Sequence, residues 1–317
     1  MLIEKSNSDI SFFKNVSKVY VQRFSWTPLR IIENFILLLI IRAQNYKNFY
    51  IHYSYISAGN ASLIAKLSGA RTFYWSCGMM WLFGKDRALG LVLKLINHLV
   101  TGVKALKSGY VEHYGISVDK IKIMPNWIDL NRFNNIDTDN ILEKYKLNKD
   151  DKYIFFVHRL AKRKGAHYIA KLAKTNPEFK FLIAGDGPYK KQLEQEIKDL
   201  DNVILLGKIP NKDIPGLMRI SKLFFMPSEE EGFPRVLLES MAAGLPYVAF
   251  DIGGVREIST KEQQEYIVDD VASMNIGIKE ILSNQDIYNK LKQVNLEHVK
   301  QFDIKVVKNK FIELIYG

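Results

Sequence analysis

The second half of the chain alternates short apolar runs with amphipathic stretches, and several of the runs are apolar at consecutive positions. A strand that is apolar at every position must be buried on both faces, which is the situation of a parallel sheet covered by helices. The expected strands are Tyr153–Val157, Phe179–Ala184, Val203–Leu206, Leu223–Met226, Tyr247–Phe250 and Tyr266–Val268. The expected helices between them are Lys164–Lys174, Tyr189–Asp199, Lys212–Ile220 and Arg235–Ala243. Regular strand–helix alternation of this kind predicts an α/β fold with a doubly wound parallel sheet.

The first half reads as a second, smaller α/β unit. Its expected strands are Phe49–Tyr53, Thr72–Trp75, His98–Val103 and Lys120–Met124. Its expected helices are Pro28–Ala43, Ala61–Ser68, Arg87–Ile96 and Leu106–His113. A turn-rich break at Pro125-Asn126-Trp127-Ile128-Asp129 precedes the polar stretch 131–140, and the boundary is placed there. Two domains follow, 1–127 and 128–302, with part of the terminal helix 303–317 assigned to the first.

Bulk properties agree with two soluble domains. A chain of 317 residues, 47% of them hydrophobic, has the material for more than one core. Cys77 is the single cysteine, so no intramolecular disulfide can form and a cytoplasmic location is the expectation. The stretch Met1 to Asp9 lacks the apolar region of a signal peptide. The longest apolar run, Phe35 to Ile41, is far shorter than the ~20 residues that span a bilayer. Charge is uneven: residues 1–130 hold 16 Lys+Arg against 7 Asp+Glu, a net +9 out of +11. An anionic partner explains that bias, and so does a solvated lysine-rich surface. Nucleic acid is not expected, because no binding module or GKS/GKT phosphate loop is present.

The stretch from Glu231 to Gly244 carries the most chemistry. Pro234 is expected at the first helical position and Gly244 at the C-terminal cap. Free N–H groups at such a helix start attract an anion. Glu239 lies five residues past Pro234, ~7.5 Å along the axis, which suits a nucleotide sugar with its diphosphate at the helix end. Glu231 and Glu239 can each accept hydroxyl hydrogen bonds. Alternatively, Glu231 favours the helix dipole and Glu239 is a solvated helix residue. Apolar Val236, Leu237, Met241 and Ala242 around Glu239 favour a cleft over open water.

This stretch resembles the glutamate–seven residues–glutamate motif of the family 4 retaining glycosyltransferases (the group 1 type, with the GT-B fold of two Rossmann-like domains facing a cleft). Phe155-Phe156-Val157-His158-Arg159-Leu160 with Lys164-Gly165, and Leu182 to Pro188, are similar to that family's landmarks. So are Leu206 to Pro210, Asp251 to Ile258, and the 125–129 linker. The resemblance runs from about residue 100 to the C-terminus. It implies a retaining, metal-independent hexosyl or related transferase with no cofactor beyond its nucleoside diphosphate sugar donor. Glu231, Arg159 and Lys164 would be catalytic, the two cations binding the donor diphosphate and Glu231 the sugar. Gly232, Phe233 and Pro234 would lie beside the donor, Glu239 on the ribose hydroxyls, and Gly207 to Ile209 near the base. Domain 1–127 would be the acceptor side, taking a glycan or a lipid-linked acceptor.

The sequence also departs from the family. His158 stands where glycine is common, and Pro234 offers no N–H to a donor. No glycine-rich loop opens the chain, which enters the fold near Val19-Tyr20-Val21. The first strands are therefore expected to be absent, rearranged or supplied by a partner. Ser76-Cys77-Gly78 occupies the place of a family histidine that contacts the donor sugar. Asp137-Thr138-Asp139 looks like an aspartate pair for a metal, but an N-cap for a helix near Ile141 accounts for it better. Two stretches suit the face of an anionic membrane, the Pro28–Ala43 helix and the Met79–Phe83 cluster beside Lys85 and Arg87. Both also suit core packing. A non-catalytic nucleotide-sugar-binding subunit that needs a partner chain is the alternative reading of the whole.

Overall fold

A computed structural model of the chain describes residues 1–3, 17–84 and 86–317. Lys85 of the apolar cluster and Glu4 to Asp9 of the polar N-terminus lie outside the described residues. The chain divides into two compact units. One comprises 1–101, 107–123 and 315–317, and the other 102–106 and 124–314.

The first unit begins with a two-residue parallel pairing of β1 (Leu2–Ile3) with β2 (Tyr20–Val21), separate from the main sheet. That sheet has four parallel strands in sequence order, β3 (Asn48–His52), β4 (Arg71–Trp75), β5 (His98–Thr101) and β6 (Ile121–Ile123). Its helices are α1 (Thr27–Ala43), α2 (Tyr55–Ser68), α3 (Arg87–Leu95) and α4 (Lys104–Tyr114). Asp86 caps α3 by accepting from the N–H groups of Ala88 and Leu89. The core is built on Phe73, Tyr74, Trp75, Leu99 and Val100, all buried. The carbonyl of Ile315 accepts from Asn48 and Arg71, which ties the chain's last residues to this unit. In Met80–Phe83, a single 3-10 turn, Trp81 stacks on His113 and meets Tyr110 edge-on, while Leu82 is exposed.

The second unit opens with α5 (Thr138–Tyr145), three residues earlier than the position expected near Ile141. The Asp137 side chain accepts from the Asn140 N–H at 3.0 Å and so caps it. The sheet has six parallel strands, β7 (Tyr153–Val157), β8 (Lys180–Ala184), β9 (Val203–Gly207), β10 (Ser221–Met226), β11 (Tyr247–Phe250) and β12 (Ile267–Val268). Their spatial order is β12-β11-β10-β7-β8-β9. The chain thus winds one way from β7 to β9, returns, and winds the other way from β10. The order reverses between β7 and β10, and doubly wound sheets take ligands outside the carboxyl ends of the strands at such a point. Phe155, Phe156, Phe224 and Phe225 stand on these two strands, fully buried, and both faces are covered.

The helices of this unit are α6 (Ile169–Thr175), α7 (Lys190–Glu196), α8 (Ile214–Ile220), α9 (Arg235–Ala242) and α10 (Val255–Ile258). They are followed by α11 (Val271–Ser283), α12 (Gln285–His298) and α13 (Ile304–Tyr316). The helix expected over Lys164–Lys174 is shorter. Residues Lys162–Lys164 and Ala166–Tyr168 form 3-10 turns on either side of Gly165, and the α-helix starts only at Ile169. Pro234 is the N-cap of α9 with extended ψ, one residue outside the position expected for it.

Candidate functional site

Two loops meet at the point of reversal in the second unit, one after β7 and one after β10. The β7 loop turns at Gly165, whose φ is +75°. A Cβ there would lie 2.1 Å from the carbonyl oxygen of Pro227 on the β10 loop, so only glycine lets the two backbones approach this closely. That approach brings Lys164 to Glu231. The ammonium donates to Glu231 Oε1 at 2.9 Å and to the carbonyl of Glu230. Lys164 is buried, whereas Lys162 and Arg163 of the same turn are exposed. Arg163 pairs with Glu230 at 2.9 Å.

His158 adds a second contact to the same carboxylate, with Nε2 3.1 Å from Glu231 Oε1. Its Nδ1 accepts from the backbone N–H of Arg159 at 2.7 Å. Burial works to raise the Glu231 carboxyl, but the hydrogen bond from His158 and the charge of Lys164 outweigh it and hold the group below its ordinary value. The backbone beside Glu231 is pinned as well. The carbonyl of Gly232 accepts from Gly254 N–H at 3.1 Å, and that of Phe233 from Asn126 at 3.3 Å. The rings of Phe233 and Phe302 meet edge to face, and Phe233 and Pro234 are buried.

Glu239 stands on α9 with its side chain 14% exposed, and its environment is the opposite. Arg132 approaches it to 3.7 Å, which is a charge contact without a hydrogen bond. The Arg132 guanidinium instead donates to the Asn211 carbonyl at 2.8 Å. Burial therefore wins, and it pushes the Glu239 carboxyl up despite the nearby Arg132 and Arg235. Among the described residues no group donates a hydrogen bond to this carboxylate.

An open pocket of about 500 Å³ lies at the carboxyl ends of β7, β8 and β9. His158 and Arg159 line it from the β7 loop, Gly185, Asp186 and Gly187 from the β8 loop, and Lys208, Ile209 and Asn211 from the β9 loop. Arg159 is exposed there. Gly207 ends β9 with φ +65° and Ile209 reaches the wall, whereas Gly207 itself does not line the pocket. Of the residues expected from sequence, Arg159 and Ile209 thus face the pocket, and Glu231 and Lys164 join it through His158. Glu239 reaches it through Arg132 and Asn211. The contacts of His158 and Arg132 were not legible, because each pairs residues far apart in the chain. In the first unit, Ser76 and the Gly78 carbonyl accept from Tyr110 Oη at 2.7 and 3.0 Å.

Two Rossmann-like units, the second with a cationic crevice and two carboxylates at its point of reversal, are the architecture of the GT-B glycosyltransferases. Solved structures share the fold. A glycosyltransferase from Rickettsia africae superimposes with a TM-score of 0.80 at 19% identity, covering 94% of this chain and 84% of that one. Anabaena HepE in complex with UDP does so with a TM-score of 0.80 at 19% identity, covering 94% and 85%. The putative teichuronic acid biosynthesis glycosyltransferase TuaC of Bacillus subtilis is 30% identical over 144 residues, 44% of this chain and 36% of its own length. The chain spans about half or less of the length of the first curated relatives it matches. The family described as Glycosyl transferases group 1 matches residues 137–297, just over half the chain, and the protein belongs to that family.

Proposed function

We propose that the protein transfers a sugar from a nucleoside diphosphate sugar to a glycan or lipid-linked acceptor, with retention of anomeric configuration and without a metal. The observation that carries this reading is the pair Glu231 and Glu239. One is an ionised carboxylate gripped on a single oxygen, and the other is a buried carboxylate short of hydrogen-bond donors. A ribose supplies two adjacent hydroxyl donors and would satisfy Glu239. Arg159 and Lys208 would face the diphosphate in the pocket, and Lys164 would add a third cation. Fixed cations beside the α9 N-terminus can stabilise the charge that develops on a departing nucleoside diphosphate. Oε2 of Glu231 would then meet the sugar. The UDP bound by HepE supports a uridine nucleotide as the first donor to try, and the teichuronic acid role of TuaC supports a glycan acceptor.

Calorimetric titration with UDP, GDP and ADP and their sugars, on wild type and on Glu239→Ala and Arg159→Ala, tests the donor site. Micromolar binding of one nucleotide, weakened at least tenfold in both variants, is the expected outcome. Absence of binding to any of them would sink it. Binding without turnover until a second chain is added would identify a subunit that needs a partner.

A contact with an anionic membrane is favoured by α1. Leu29, Ile32, Ile36, Leu39 and Ile40 are exposed, and only Asn34 and Leu38 of that helix are buried. An apolar helix side with Arg30 and Arg42 near its ends suits a lipid interface better than a core position. Flotation with vesicles is its test.

A further inference from the structure

His158 puts an imidazole into the crevice beside Glu231. A glycine at this position could make neither of its two side-chain contacts. The backbone of the residue is held firmly. Its N–H donates to the Ala184 carbonyl at 3.2 Å, and the Gly185 backbone lies so close to the His158 carbonyl that a Cβ would sit 1.9 Å from it. The ring is oriented from its other side, because Nδ1 accepts from the Arg159 N–H at 2.7 Å and so cannot itself carry a proton. In the neutral imidazole the proton is then on Nε2, the atom 3.1 Å from Glu231 Oε1.

Lys164 already neutralises Glu231 at 2.9 Å, so charge balance does not require the histidine. An ammonium on a flexible stem has three rotatable donors and does not define the carboxylate plane. A ring anchored at Nδ1 supplies a donor from one direction only.

We propose that His158 is a positioning residue of the donor-sugar site: its Nε2–H fixes the orientation of Glu231, so that Oε1 is occupied and Oε2 is presented to the sugar. This rests on the transferase reading above. It separates the two halves of the donor. Binding of the diphosphate half depends chiefly on the cations, whereas recognition of the sugar half depends on His158 through Glu231.

The test uses His158→Gly and His158→Gln with two ligands, UDP and the UDP-sugar that binds wild type best. In His158→Gly the Kd for the UDP-sugar is expected to weaken about tenfold more than the Kd for UDP, the scale of one hydrogen bond to a charged group. In His158→Gln, whose amide can donate to the same oxygen, the UDP-sugar Kd is expected to return to within about threefold. Equal weakening for both ligands would make His158 part of the phosphate site or of the loop's packing, and no change in either would make it idle. Both outcomes overturn the proposal. Two-bond ¹H–¹⁵N correlation of the histidine rings decides the geometry without any donor. The signals of His158, identified by their loss in His158→Gln, should report the Nε2–H tautomer and shift in Glu231→Gln. An Nδ1–H tautomer overturns the positioning role. Failure of wild type to bind any nucleotide, with the tautomer as expected, would instead overturn the transferase reading.

Discussion

Glu231 and Glu239 carry the same group eight positions apart and meet opposite electrostatics. The Glu239 carboxyl is raised by burial, so the folded state favours its neutral form. Its stabilising effect is complete below the ordinary carboxylate range and is lost as pH rises through the raised folded value. At neutral pH the ionised group is therefore a cost to the fold. Glu239→Gln is expected to raise Tm by about 2 to 4 °C at pH 7.5, with the difference vanishing near pH 4, while nucleotide affinity falls. Glu231 is held low, so its contribution is present above the ordinary range and is lost as pH falls through the folded value. Glu231→Gln should accordingly lower Tm at pH 7.5. Thermal unfolding of both variants at the two pH values checks the pair of signs, and a lower Tm for Glu239→Gln at pH 7.5 would refute the burial cost. The two glutamates were legible in the sequence as a spaced pair at a helix start. Their charge states were not, because His158, Lys164 and Arg132 reach them across 73, 67 and 107 positions of chain.

Among the elements, the loops after β7 and β10 hold the site, and Gly165 is the joint between them. Gly165→Ala sets a methyl group against the Pro227 carbonyl at 2.1 Å as well as straining a φ of +75°. Gly207, with φ +65°, has nothing within 4 Å of the place where a Cβ would stand. Gly207→Ala is therefore expected to cost about 1 kcal/mol, the left-handed penalty alone. Gly165→Ala should cost at least about 3 kcal/mol and abolish nucleotide binding, since strain and overpacking add. Urea unfolding of the two variants reads the difference, and equal losses would show that the loop contact is soft. Strands β7 and β11 were legible to the residue, because consecutive buried apolar positions are a local signal. The start of α6 was not, since residues 164–168 have helical composition and the left-handed Gly165 splits them into two short turns.

For the whole molecule, the +9 charge of residues 1–130 and the exposed side of α1 belong to the same unit. No helix among the described residues is long and apolar enough to cross a membrane. Binding to a membrane surface would therefore combine shallow apolar insertion with charge. Vesicles containing anionic lipid should carry the protein upward in a flotation gradient at low salt, and 0.5 M salt should release most of it. Ile32→Glu with Ile36→Glu should weaken flotation at any salt while leaving nucleotide affinity intact. Recovery of all the protein in the unbound fraction at low salt would remove the membrane from the account.

The sequence by itself determined the α/β class, the parallel sheet and the position of the carboxylate pair, because strand burial and helix starts are written in neighbouring residues. Only the tertiary structure decided where the strand order reverses, that Lys164 is buried against Glu231, and that His158 shares that carboxylate. These depend on which loops the winding of the sheet brings together, and winding pairs residues by their place in space rather than their distance along the chain.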